Sequence, residues 1–175
     1  MSAVKRAAPD RIPVAQAASD FLSQKRIAVT GVSRDQKSGH GSNVVYQRLR
    51  ERGYEVFPVN PNAKEIGGAT CYPNLASIPG RVGAVVIGTR PETAASTIEE
   101  CGRLGIEHVW MHRSIGGGSV SHPAAERGRE LGLTVIEGGC PLMFEPVSDG
   151  AHRSMRFVFT LFGRVPRTVL DCGGR

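Results

Sequence analysis

The sequence predicts a doubly wound α/β domain, a five-stranded and mainly parallel sheet with helices on both faces. Three observations predict it. Short β-branched runs recur along the chain, each pair is separated by one segment of helical periodicity, and glycine or proline punctuates the junctions. The runs are almost continuously apolar, as strands buried on both faces must be, and right-handed crossovers leave few other ways to pack such an alternation.

Lys25 to Gly31 (K-R-I-A-V-T-G) is the first strand, followed by a polar loop and a helical pattern at Val44, Val45, Tyr46 and Leu49. Gly53 stops that helix, and Tyr54 to Val59 (Y-E-V-F-P-V) is the second strand, before the turn Asn60-Pro61-Asn62. Ala84 to Ile87 is the third. Pro91 opens a helix that runs to about Leu104 and is stopped by Gly105, and His108 to Met111 is the fourth strand. Ser121 sits at a cap position with Pro123 in the first turn behind it, Gly132 closes that helix, and Leu133 to Ile136 is the fifth strand. A last helix at about 150–163 puts Met155, Val158, Phe159 and Phe162 at helical spacing, with Arg153, Arg156 and Arg164 around them. Closing the sheet's core is its expected role, with a homodimer contact as the alternative. The domain is expected at 19–165, between a flexible N-terminal tail at 1–18 and a C-terminal tail at 166–175.

A chain of 175 residues, 40% hydrophobic and 22% charged, suits one globular domain. Its apolar runs are too short to span a bilayer, and none precedes Asp10 that could serve as a secretory leader. The four cysteines, Cys71, Cys101, Cys140 and Cys172, form no C-x-x-C pair, so neither a zinc site nor a disulfide framework is expected. Reduced thiols point to the cytoplasm. A formal charge of +6 favours anionic partners. No recognition-helix pattern or stacking aromatic face is legible, so the expected partner is a small nucleotide rather than nucleic acid or membrane.

In such a sheet the ligand sits beyond the carboxyl ends of the strands, where the strand order reverses. After the first strand the loop runs from Gly31 through Ser33, Arg34 and Lys37 to Gly41-Ser42-Asn43. Gly31 lets backbone approach a pyrophosphate, Ser33 and the helix N-terminus supply donors, and Arg34 or Lys37 adds charge, although the full G-x-G-x-x-G register is missing. After the second strand comes Val59-Asn60-Pro61, with no carboxylate before Glu65 and with Lys64 just ahead of it. A site for plain NAD usually places an acid there, so this end suits a phosphorylated ribose, that of NADP or the 3′-phosphate of coenzyme A. Thr89-Arg90-Pro91 sets an arginine before a helix N-terminus. Gly138-Gly139-Cys140-Pro141 follows the fifth strand, where Cys140 is read as a small buried side chain or as a partner for the coenzyme thiol in a mixed disulfide. His112 is the histidine nearest the crevice and is read as a hydrogen-bonded loop residue. No G-x-S-x-G elbow, H-E-x-x-H, Walker loop or spaced carboxylate pair is present, so no catalytic or metal-binding constellation is legible.

G-V-S-R at 31–34, G-Y-E-V-F-P-V-N-P at 53–61, T-R-P after the third strand, V-W at Val109-Trp110 and G-G-C-P at 138–141 together resemble the CoA-binding protein family. That family is related to the N-terminal domain of the succinyl-CoA synthetase α subunit, and the resemblance runs from about Lys25 to Pro146. It implies a Rossmann-like fold that binds coenzyme A or an acyl-CoA. By position it implies Gly31, Val32 and Ser33 at the diphosphate, Val59, Asn60, Pro61 and Lys64 around the adenosine and its 3′-phosphate, and Gly88, Thr89 and Arg90 beside the adenine or ribose. The chain departs from the family at Met111-His112-Arg113-Ser114, the pantetheine end, where many relatives carry glutamine and then glycine. The second domain whose histidine the synthetases phosphorylate is not seen, so a non-catalytic binding or regulatory role is expected. The main alternative is a minimal NADP-dependent oxidoreductase or NADP sensor.

Overall fold

The computed structural model describes residues 10–35, 41–113 and 116–172. In chain order the elements are β1 (Asp10–Pro13), α1 (Val14–Ser23), β2 (Arg26–Thr30), α2 (Gly41–Glu51), β3 (Glu55–Val59), the short β4 (Glu65–Ile66) and β5 (Ala69–Thr70), β6 (Ala84–Ile87), α3 (Pro91–Leu104), β7 (His108–Met111), α4 (His122–Glu130), β8 (Thr134–Glu137), α5 (Gly150–Leu161) and β9 (Thr168–Asp171). Five strands pair in parallel in the order β3-β2-β6-β7-β8. This is the Rossmann-like, doubly wound α/β fold expected from the alternation.

The near-continuous apolar runs are explained by burial of the sheet on both faces. Ile27, Val29, Val86 and Trp110 point into one layer with Phe21 and Leu22 of α1 and Val45 and Leu49 of α2. Ala28, Val85, Ile87, Val109 and Met111 point into the other, against Ala94 and Ile98 of α3 and Ala124 and Ala125 of α4. Trp110 anchors the first layer. Its ring meets Phe21 and Phe144 edge-on at 5.4 Å each, and its indole N–H donates to the Gly138 carbonyl at 2.9 Å.

The tails expected at 1–18 and 166–175 are corrected over the residues described. Residues Asp10–Pro13 pair antiparallel with Thr168–Asp171, and the Val14 N–H donates to the Arg167 carbonyl at 3.0 Å. Helix α1 buries Val14, Ala17, Ala18, Phe21 and Leu22, an i, i+3, i+4, i+7, i+8 stripe that covers the sheet. The last helix is also only partly as expected. Met155 and Phe159 pack half-buried on the core, whereas Val158 and Phe162 are exposed, because α5 meets the first layer with only one side.

Candidate functional site

Strand order reverses between β2 and β6, and a crevice of about 1210 Å³ opens there beyond the strand ends. Its floor is backbone. Gly31 has φ +73°, and a Cβ on it would lie 2.6 Å from the Gly88 carbonyl oxygen. A Cβ on Gly88 would fall 2.1 Å from Ser42 Oγ and 2.7 Å from the Thr30 carbonyl oxygen. The Ser42 hydroxyl donates to the Gly88 carbonyl at 3.1 Å, and the Gly88 N–H donates to Thr30 Oγ1 at 3.2 Å. Two glycines thus let β2, β6 and the first turn of α2 converge. Gly41 and Ser42, the first described residues of α2, line the crevice and turn the positive dipole end of that helix toward it.

Side chains of the first turn of α2 and of the β3 end hold the loops in place. Asn43 Oδ1 accepts from the Ser33 N–H at 2.7 Å, and its Nδ2 donates to the Asp35 carbonyl at 3.0 Å. Asn60 Nδ2 donates to the Val32 carbonyl at 2.8 Å and Asn60 Oδ1 accepts from the Asn62 N–H at 2.9 Å. Asn60 therefore clasps the loops after β2 and β3 together, with both ends of its amide engaged.

Across the crevice stand Thr89, Arg90 and the polar side of α3, including Thr93, Ser96 and Thr97. Thr89 Oγ1 is buried and has no hydrogen-bond partner among the described residues. His112 lines the far end, 6% exposed, with its ring packed on Gly41 so closely that a Cβ there would lie 2.5 Å from Cε1. Burial pushes its pKa down to about 4, so the imidazole is an uncharged donor and acceptor at neutral pH.

Of the residues predicted for the site, Gly31, Ser33, Val59, Asn60, Pro61, Gly88, Thr89 and Arg90 line the crevice. Val32 does not, because its side chain is fully buried in the first core layer. Arg34 and Lys64 are exposed and stand off the crevice wall. Lys37 lies outside the described residues. Cys140 and Pro141 do not line the crevice, and Cys140 is the small buried side chain of the first of its two readings. Both are buried, Cys140 within the core layer of Trp110 and Phe144, and burial pushes its thiol up to about 12. The Gly138-Gly139 pair lets the C-terminal segment approach the end of β8. A Cβ on Gly138 would fall 2.4 Å from the Arg164 carbonyl oxygen, and one on Gly139 3.0 Å from the Val165 side chain. Sequence reasoning missed Thr93, Ser96 and Thr97, although their polar i, i+3, i+4 spacing behind the predicted Arg90 loop was a readable signal.

The sequence pattern of the CoA binding domain matches residues 25–146. The chain belongs to the CoA-binding domain family. Among its relatives, the uncharacterized protein YneT of Bacillus subtilis is 31% identical over 116 residues, 66% of this chain and 82% of that protein. The ADP-forming acetate–CoA ligase I of Archaeoglobus fulgidus is 28% identical over 122 residues, 66% of this chain but 18% of the ligase. The chain thus spans less than a fifth of the ligases it matches. A hypothetical protein from Pyrococcus horikoshii has the same fold, with TM-score 0.65 and 28% identity over 73% of this chain and 86% of that one. Among the described residues no helix is long and apolar enough to cross a membrane.

Proposed function

We propose that this chain binds coenzyme A, or an acyl-CoA, in the switch-point crevice as a binding or regulatory protein without chemistry of its own. One observation carries the reading: a helix N-terminus and two side-chain-free glycines face a β3 end that bears no carboxylate. Gly31, Ser33 and the first turn of α2 would receive the diphosphate, since backbone amides at a helix N-terminus favour anions and glycine permits close approach. Val59 and Pro61 offer the adenosine an apolar seat, and the unpartnered Thr89 hydroxyl would gain a hydrogen bond from the ligand. Lys64, two residues beyond the crevice-lining Asn62, would swing a flexible ammonium to the 3′-phosphate. The pantetheine arm would then run toward His112, whose neutral ring suits an amide or carbonyl better than a phosphate.

Titration calorimetry with coenzyme A and dephospho-coenzyme A tests this. The wild type is expected to bind coenzyme A about tenfold more tightly or better, and Lys64→Ala to lose that preference while still binding dephospho-coenzyme A. Thr89→Val should weaken both ligands without lowering the melting temperature, since it removes a buried hydroxyl that the free protein leaves unsatisfied. Equal wild-type affinity for the two coenzymes would remove the phosphate from the argument. Binding of NADPH with no binding of coenzyme A would transfer the site to the alternative.

A further inference from the structure

Helix α5 buries none of its residues completely. Its inner side, Met155 and Phe159, packs on the core. Its outer side presents Phe157, Val158, Leu161 and, at the C-terminal end, Phe162, which are 69%, 44%, 63% and 75% exposed. Positions i, i+1, i+4 and i+5 form one continuous stripe on a helix. Side chains of these sizes and exposures leave about 400–500 Å² of apolar surface in water, toward the upper end of what a monomer carries. None of the four residues lines the crevice.

We propose that this stripe is where two copies of the chain pair, α5 against α5, antiparallel across a twofold axis. Doubling the stripe and adding its rim brings the buried area to about 1,000–1,200 Å², enough for a weak, reversible dimer. An antiparallel pair also sets the positive N-terminal end of each α5 beside the negative C-terminal end of the other. The nearby arginines argue against an anionic partner, because their guanidinium groups turn to their own chain. Arg153 pairs with Glu145 at 3.2 Å, Arg156 stacks 4.2 Å from the Phe144 ring, and Arg164 lies 5.6 Å from the Phe159 ring. What faces outward is apolar, and an apolar stripe is complementary to itself.

Sedimentation equilibrium of the full chain from about 1 to 200 µM reads this out. The mass should rise with concentration from 18.7 kDa to twice that value. Added salt should tighten the dimer severalfold, since each copy carries +6 and the repulsion is screened. Phe157→Glu and Leu161→Glu should each weaken it at least tenfold while leaving the circular dichroism spectrum, and the melting temperature at concentrations where the chain is monomeric, unchanged, because these side chains support no core contact. A monomer throughout the range overturns the proposal, as does a dimer that survives both substitutions. So does a monomer that co-sediments with phosphatidylglycerol vesicles through this stripe and is released by salt, which would assign the face to a membrane surface.

Discussion

His112 and Cys140 both follow strands that end near the crevice, yet their surroundings give them opposite roles. Cys140 is turned into the core, whereas His112 stays on the crevice wall as a neutral ring. Neutrality has a consequence for stability. The unfolded chain protonates this histidine near 6.5 and the folded chain near 4. Between those values the unfolded state binds more protons, so the contribution is fully present above about pH 6.5 and is lost as pH falls toward 4, on the order of 3 kcal/mol in all. Burial lowers the pKa of His108 in the same direction, and the lowered carboxyls of Glu99 and Asp149 also lose their native partners in acid, so the acid limb is composite. The difference between wild type and His112→Gln isolates one residue. Urea unfolding at pH 7 and pH 4.5 should show the variant losing less stability over that interval, and parallel losses would refute the buried neutral state. A residue's type and loop position can be read from sequence; whether its side chain faces a crevice or a core cannot, because that depends on backbone turns such as Gly138-Gly139 meeting a segment twenty-six residues away at Arg164.

Elements with local punctuation were legible. The five parallel strands and the helices between them follow from apolar runs, prolines in first turns and stop glycines, with Gly105 in the left-handed conformation a C-terminal cap requires. Helix α1 was equally periodic but straddles the expected boundary between tail and domain at residue 18, and its first half reads as tail although Val14, Ala17 and Ala18 are buried on the same stripe as Phe21, which meets Trp110 edge-on at 5.4 Å. Phe21→Ala should therefore cost about 3–5 kcal/mol by emptying a fully buried site, measured as a lower urea midpoint with unchanged slope. Strands β1 and β9 were not legible, since four-residue partners from opposite ends of the chain carry no local signal of each other, and their pairing is read only from the register Asp10↔Asp171 to Pro13↔Thr168.

At the scale of the whole molecule, ligand binding and folding are linked. If the crevice forms only in the native state, coenzyme A at one hundred times its dissociation constant adds about 2.7 kcal/mol to stability and raises the melting temperature by about 5–10 °C for a chain of this length. A thermal-shift titration checks it, and 3′,5′-ADP should reproduce part of the shift through the nucleotide end alone. The sequence by itself determined the layered α/β class, the strand and helix succession, and the basic, carboxylate-free turn after β3, because these are properties of residues adjacent in the chain. Tertiary structure decided which loops share the crevice, that Asn60 clasps loops while Thr89 stays unpartnered, that Val32 and Cys140 face inward, and that α5 leaves an apolar stripe in water. Those outcomes depend on the sheet order β3-β2-β6-β7-β8, which brings distant loops together and is fixed by packing between segments far apart in sequence.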